Sequence, residues 1–208
     1  MATEIPLRCT CGKVRGVATD VSPDSGGRIV CYCDDCQAFA RFLERSEVMN
    51  AAGGTDIFQM PPSSVRITEG ADLLRCMRLS EKGLIRWYTD CCRTPVGNTL
   101  GARVPFVGLI QPFMDHEGSG RSRDDVIGKP LAHIFGKYAV GGVPPGAHPR
   151  VALGLMPRFA RLLFGWWIAG KGEPSAFFDP KTKAPRAKPR VLSAAERQAV
   201  NGASPNLR

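Results

Sequence analysis

The chain has 208 residues, with 28 Lys or Arg, 19 Asp or Glu, eight cysteines and 43% hydrophobic residues. This composition is that of one globular domain, with or without an extension, and it excludes collagen-like, coiled-coil and wholly disordered chains. Near the C-terminus, the longest stretch without charge or proline (162–170) is shorter than the roughly 20 apolar residues of a transmembrane helix. Residues 1–8 lack the features of a secretory signal, so we expect a cytoplasmic protein with reduced thiols.

The net charge of +9 is concentrated near the C-terminus. Residues 1–150 carry 18 basic and 16 acidic side chains, whereas residues 151–208 carry 10 basic and 3 acidic ones. We therefore predict one domain over residues 1–150 and a basic extension over residues 151–208. Any anionic partner is expected to meet the extension.

Apolar runs bounded by Gly, Pro, Asp and Ser predict short strands along the first 110 residues. The predicted strands are 5–9, 13–18, 28–32, 55–60, 65–68, 73–79, 84–89 and 106–110. The chain is therefore expected to be mainly β, with short helices.

A helix is predicted after the third strand, over residues 34–45, because apolar residues at 38–43 recur at helical intervals. We interpret Asp34 and Asp35 as residues that cap this helix rather than as proton acceptors beside a metal. Cys36 would lie in the first turn, where the helix N-terminus favours a thiolate.

In the basic extension, a helix is predicted to begin near Pro157. Its apolar residues are expected largely on one side: Phe159, Leu162, Leu163, Trp166 and Trp167. Packing on its own domain or on a partner subunit is favoured over membrane contact. A proline-rich basic arm follows over 172–190, and a capping-box pattern at 193–196 predicts a last short helix to about residue 200.

Three cysteines within six residues, Cys31, Cys33 and Cys36, form a local metal-binding pattern. Thiolates are soft ligands suited to zinc, and three of them leave one tetrahedral position for water or a substrate thiol. The alternative is a closed scaffold in which Cys76 or another distant side chain is the fourth ligand.

Cys9 and Cys11 form a second candidate metal pair whose further ligands must come from Cys91 and Cys92. Such a site would join distant strands, and its binding free energy would stabilise the fold. Because adjacent cysteines seldom both bind one tetrahedral ion without strain, Cys91 and Cys92 could count as one ligand. One bound zinc is therefore expected, while the second site could be complete or empty.

The order C-x-C-G, C-x-C-x-x-C and a late cysteine before Thr-Pro resembles the glutathione-dependent formaldehyde-activating enzyme family, which includes the centromere protein V group. The resemblance covers residues 5–110 and includes the predicted strand pair within 55–68. It implies the Mss4-like fold of folded-over β-sheets with two zinc ions. By position, Cys9 and Cys11 match the structural site, and the trio from Cys31 to Cys36 matches the catalytic-type site.

The chain departs from the family at the late motif, which is aromatic-C-x-x-C-G-T. Cys92 stands at the second cysteine, Thr89 at the first, and Arg93 at the glycine. A hydroxyl is a poor zinc ligand, so Cys91 or Cys76 would have to replace Thr89. Residues 37–45 also differ from the family's small, glycine-containing segment. The sequence therefore resembles a divergent branch of the Mss4-like superfamily.

The resemblance implies a carbon-sulfur lyase acting on a small thiol adduct such as that of glutathione and an aldehyde. Three thiolate ligands make zinc a poor Lewis acid, which favours activation of a substrate thiol over polarisation of a carbonyl. Alternatives are a non-catalytic zinc scaffold that presents the basic extension and a redox-sensing thiol protein based on Cys91 and Cys92. The expected partner is a small thiol. Nucleic acid is not favoured, since the arm lacks stacking aromatic residues, and the oligomeric state stays open.

Overall fold

The computed structural model describes residues 3–117 and 120–201. This part of the chain forms strands in two sheets and a few short helices, so the prediction of a mainly β fold is confirmed. The strands are β1 (Thr3–Arg8), β2 (Arg15–Val21), β3 (Gly27–Cys31), β4 (Thr55–Met60), β5 (Val65–Glu69), β6 (Leu74–Arg78), β7 (Ile85–Thr89), β8 (Pro95–Thr99), β9 (Val107–Ile110), β10 (Ala132–Ile134) and β11 (Arg190–Val191). The α-helices are α1 (Asp34–Phe42), α2 (Arg123–Ile127), α3 (Met156–Ile168) and α4 (Ala194–Asn201).

The small sheet has the order β1-β2-β5, and both of its pairs are antiparallel. The large sheet has the order β10-β3-β4-β9-β8-β7-β6-β11, with antiparallel pairs inside and parallel pairs at both edges. The edge strands come from late in the chain, so segments after residue 130 cover the edges of a sheet built by earlier segments.

All eight predicted strands are present, but β8, β10 and β11 were not predicted. The last two have three and two residues, too few for a recognisable alternation. β8 contains Gly97 and Asn98, residue types that are depleted in strands. Gly97 has a packing reason, since a Cβ added there would lie 2.8 Å from the carbonyl oxygen of Gly108 on β9.

The main core centres on Trp87, a fully buried residue of β7. Phe177 and Phe178 pack against its ring, with ring centroids 5.1 and 6.0 Å away. Both phenylalanines lie in the predicted proline-rich arm, and each contributes roughly 2 to 3 kcal/mol through burial. The division at residue 150 stays a prediction, and its two parts share this core.

α3 begins one residue before Pro157, as expected, but its two tryptophans face different environments. Trp166 is buried, and Phe159 packs edge-on against Phe106 at 5.8 Å, whereas Trp167 is 64% exposed. The prediction that both tryptophans share one side was wrong, because consecutive residues of a helix are rotated by about 100°. No helix in the described ranges is long and apolar enough to cross a membrane.

The predicted last helix is confirmed as α4, and its capping box is formed. The backbone N–H of Glu196 donates to Oγ of Ser193, and the backbone N–H of Ser193 donates to Oε2 of Glu196. The Arg41 guanidinium donates to the carbonyl groups of Val200 and Asn201 at the other end of α4. These contacts fix α4 against α1.

Candidate metal centres

The Cys31, Cys33 and Cys36 sulfurs are brought together where β3 ends and α1 begins. Cys31 is the last residue of β3, Cys33 is the N-cap of α1 and Cys36 lies in its first turn. The backbone N–H of Cys36 donates to Sγ of Cys33. All three sulfurs lie within 4.8 Å of one another, so the strand-to-helix turn places them at one point.

Cys33, rather than the aspartates, caps this helix, which corrects the capping role expected for Asp34 and Asp35. Both aspartates lie in the first turn instead. The Asp35 carboxylate accepts hydrogen bonds from two arginines, Arg86 of β7 and Arg197 of α4. A sulfur can cap a helix because a thiolate accepts a backbone N–H near the positive end of the helix dipole.

The cysteine trio lies on the wall of a cavity of about 370 Å³. Its apolar lining includes Ile29, Ile57, Phe106 and Phe135, and its polar lining comes mainly from Asp35, Gln59, Arg86, Asn98 and Tyr138. In the described part of the chain, no fourth Cys, His, Asp or Glu joins this trio. The trio therefore offers three sulfur ligands and faces a space large enough for a small molecule.

Arg86 is the charged partner of the trio and is 98% buried. Its guanidinium lies 4.0 Å from Sγ of Cys36, 3.2 Å from Oδ1 of Asn98 and 3.4 Å from Oδ2 of Asp35. Burial disfavours the charge of Arg86, but the sulfurs of Cys36 and Cys33 and the Asp35 carboxylate outweigh this and raise its pKa. A fixed positive charge thus lies beside sulfurs that become anionic when they bind a metal.

The protonation of the trio is unequal. Hydrogen bonds from Cys31 and Cys33 lower the pKa of Cys36 well below its ordinary value; burial opposes this and Arg86 adds to it. Hydrogen bonds to its neighbours, together with burial, raise the pKa of Cys31. The trio therefore favours one thiolate next to Arg86, and metal binding must displace the remaining protons.

The second cluster contains Cys9, Cys11, Cys91 and Cys92, all with Sγ atoms within 4.8 Å of one another. The Sγ–Sγ distances are 3.6 Å for Cys9–Cys11, 3.8 Å for Cys9–Cys91, 3.4 Å for Cys11–Cys91 and 3.8 Å for Cys91–Cys92. A tetrahedral ion with bonds of about 2.3 Å to sulfur separates its ligands by about 3.8 Å. The cluster fits one four-coordinate ion of zinc size, and both adjacent cysteines belong to it.

Cys76 takes no part in either cluster. It is buried, and its Sγ donates to the carbonyl oxygen of Ala187 at 3.1 Å. Of the two replacements considered for Thr89, the structure therefore brings Cys91 to the cluster and leaves Cys76 outside it. Cys76 is not the fourth ligand of the cysteine trio either.

Thr89 supports the four-cysteine cluster with its hydroxyl group. Its Oγ1 lies 3.4 Å from Sγ of Cys92, and Oγ1 of Thr94 lies 3.1 Å from the same sulfur. Burial raises the pKa of Cys92, but hydrogen bonds from these two hydroxyls and from Cys11 outweigh it and lower that pKa to about 5. Both threonines are fully buried, so the hydroxyls are held where they favour the Cys92 thiolate.

Arg93 occupies the left-handed region with φ of 55°, at the position where the resembled family carries glycine. Its N–H donates to the carbonyl oxygen of Thr89, which closes the turn between β7 and β8 that carries Cys91 and Cys92. Glycine adopts this conformation without the strain that a Cβ causes. Arg93 therefore closes the turn at a cost in backbone strain.

Every cysteine predicted as a ligand lies in one of the two clusters, but sequence reasoning missed Arg86, Asn98 and Arg197. Arg86 lies within a predicted apolar strand, and a basic residue at such a position indicates a buried charge with a partner. No local pattern connects Arg197 with a cysteine trio more than 160 residues earlier in the chain.

These features define a mainly β protein with two candidate cysteine metal sites, one enclosed by four sulfurs and one facing a cavity. A family model described as a family of unknown function, DUF6151, matches residues 1–188, and the chain belongs to this family. A search of curated proteins found no match. The family match includes both cysteine clusters and ends before α4.

Proposed function

We propose that this protein is a zinc-dependent enzyme of the Mss4-like superfamily that acts on a small thiol adduct. The reaction class is that of a carbon-sulfur lyase, with an adduct of glutathione and an aldehyde as the substrate. The observation that supports this proposal is the placement of Cys31, Cys33 and Cys36 on the wall of a cavity of about 370 Å³. A site that serves only as scaffold needs no such space beside its ligands.

The donor chemistry of the trio fits zinc, since three soft sulfur ligands converge within 4.8 Å. When bound, zinc would lower the pKa of a substrate thiol so that the sulfur is a thiolate at neutral pH. In the synthetic direction, the substrate thiol would lose its proton and its sulfur would form a bond to the carbonyl carbon of the aldehyde, while the carbonyl oxygen would take up a proton. Lysis reverses these steps and releases the thiol and the aldehyde.

The protein's own residues hold and shield the reacting groups. Arg86 balances the negative charge of the sulfurs from its buried position, and Asp35 and Asn98 fix its guanidinium. The apolar wall, which includes Ile57 and Phe106, excludes water from the carbon-sulfur bond. The cavity therefore combines an anion-stabilising end with an apolar body.

The four-cysteine cluster is proposed as the structural zinc site. It joins the turn after β1 to the turn between β7 and β8, so one ion would connect segments 80 residues apart in sequence. Cys91 replaces the missing ligand of the resembled family. Its location away from the cavity lining agrees with a role in stability rather than in reaction.

The test is cobalt substitution followed by titration with glutathione. Thiolate-to-cobalt absorption bands should change when glutathione binds the trio site, and Cys33→Ser should remove this response but leave the bands of the other site. Cys76→Ser is the matched control, because that thiol lies in neither cluster. Bands unaffected by glutathione and by other small thiols would favour the non-catalytic scaffold.

A further inference from the structure

α3 presents an apolar face to solvent as well as one to the protein. Leu153 in the turn before α3 and four side chains of the helix, Met156, Phe164, Trp167 and Ile168, are between 48% and 84% exposed. The face toward the protein carries Trp166, which is buried, and Phe159 and Leu162, which are partly buried. A helix on the surface of a globular protein ordinarily carries polar residues on its outer face.

The exposed positions form one continuous stripe. Met156, Ala160, Phe164 and Trp167 are spaced by four, four and three residues, which places them on one side of the helix. The Phe164 and Trp167 rings stack with centroids 6.3 Å apart. A stripe of this kind and length marks an interaction surface.

The charge around this stripe is exclusively positive along the chain. Residues 151–172 contain Arg158, Arg161 and Lys171 but no Asp or Glu, and of these three Lys171 forms an ion pair with Asp20. Arg161 and Arg103 line the same hollow as Phe164 and Trp167, with a volume of about 670 Å³. The face thus combines aromatic and aliphatic side chains with flanking arginines, the composition of helices that lie in the interface of an anionic bilayer.

A second copy of the chain fits this surface less well than an anionic lipid does. A twofold contact uses the same patch on both subunits, so it would bring the arginines of one copy against those of the other. Anionic headgroups pair with Arg103 and Arg161, while the acyl region accepts Phe164, Trp167 and Ile168. Charge complementarity therefore selects the lipid surface.

We propose that the exposed face of α3 docks this protein on membranes rich in anionic phospholipid, with the helix lying in the plane of the interface. The proposal is independent of the metal sites and of the reaction assigned to the cavity. A single short helix binds reversibly, so the association is expected to depend on lipid charge and on salt.

The experiment uses the zinc-loaded full chain with vesicles of phosphatidylcholine alone or mixed equally with phosphatidylglycerol. Of the three tryptophans, Trp87 and Trp166 are buried, so a change in emission reports chiefly on Trp167. A blue shift and co-sedimentation with the anionic vesicles, both reduced by high salt, are expected. Equal binding to the neutral vesicles, or no binding to either kind, overturns the proposal.

Variants locate the contact by co-sedimentation. Trp167→Ser and Phe164→Ser should each weaken binding about tenfold, and Arg161→Gln should weaken it less and reduce its dependence on salt. Val140→Ser, which removes an exposed apolar side chain outside this face, is the matched control. An equal loss with Val140→Ser contradicts the proposal. The proposal is also contradicted if the protein does not bind the vesicles and instead forms a dimer that Trp167→Ser dissociates.

Discussion

Arg197 of α4 donates a hydrogen bond of 2.5 Å to Oδ1 of Asp35, and the second oxygen of this carboxylate faces Arg86. Arg86 in turn borders the sulfur of Cys36. One carboxylate thus connects the last helix of the described chain to the buried charge at the cysteine trio. α4 lies outside the residues that the family model matches.

Replacing Arg197 by Ala should loosen α4 without removing metal from the trio. The ion pair is partly exposed, and we expect a loss of about 1 kcal/mol in the free energy of unfolding. Hydrogen exchange should increase in α4 and in the first turn of α1, while the metal content stays unchanged. Lys183→Ala, which removes a different exposed ion pair, is the control. Protection of α4 equal to that of the parent protein would refute this connection.

Replacing Arg86 by Met should weaken metal binding at the trio about 10- to 100-fold, the usual effect of losing a group that supports metal ligands. The change also removes the buried arginine partner of Asn98 and one of the two arginine partners of Asp35. Competition with a chelating dye measures the affinity, and Arg86→Lys should recover part of it. Arg75→Met removes an arginine from an exposed ion pair and is the control. Unchanged affinity in Arg86→Met would exclude this role of the charge.

The sequence was sufficient to predict the β class, the strands β1 to β7 and β9, and the first turn of α1, because those features depend on local alternation and turn residues. It also indicated which cysteines cluster, since their spacing is short. It could not predict that Cys91 and Cys92 both join one cluster, because the turn closed by Arg93 decides where each sulfur lies. The burial of Phe177 in the core and the pairing of Arg197 with Asp35 are long-range packing, which carries no local sequence signal.

Loss of each cysteine cluster should remove one zinc ion, but the two losses should lower the free energy of unfolding by different amounts. Elemental analysis should find two zinc ions per chain in the parent protein and in Cys76→Ser. Cys33→Ser and Cys11→Ser should each contain one zinc ion per chain. Cys11→Ser should lower the free energy of unfolding by about 3 kcal/mol or more, because that site joins distant segments. Cys33→Ser should lower it less. A single zinc in the parent protein, or the reverse order of stabilities, contradicts the assignment of structural and reactive sites.

Arg93 should respond to substitution according to its backbone conformation. Arg93→Gly removes left-handed strain and should raise the free energy of unfolding by up to about 1 kcal/mol, whereas Arg93→Val should lower it by about 1 to 2 kcal/mol. Glu44→Gln removes the exposed ion pair of Arg93 without altering the turn and measures that contribution separately. Chemical denaturation of the zinc-loaded variants provides the comparison. If the valine variant is as stable as the glycine variant, the turn carries no such strain.

His116 should make the fold less stable in acid. Burial and the positive charges of Arg123 and Arg28 lower its pKa to about 4, and its Nε2–H donates to Oε1 of Gln111. Between pH 6.5, the ordinary pKa of an unfolded histidine, and pH 4, the unfolded chain binds a proton that the folded chain does not. Stability therefore falls as the pH falls through this window, by about 1 to 3 kcal/mol in total from this residue.

His116→Gln should flatten that part of the profile relative to the parent, with the exposed His148→Gln as the matched control for loss of a histidine. Because acid also releases metal from thiolates, the two variants are compared at equal zinc content. The quantity compared is the dependence of the free energy of unfolding on pH. Identical profiles for His116→Gln and His148→Gln would contradict a neutral, buried His116.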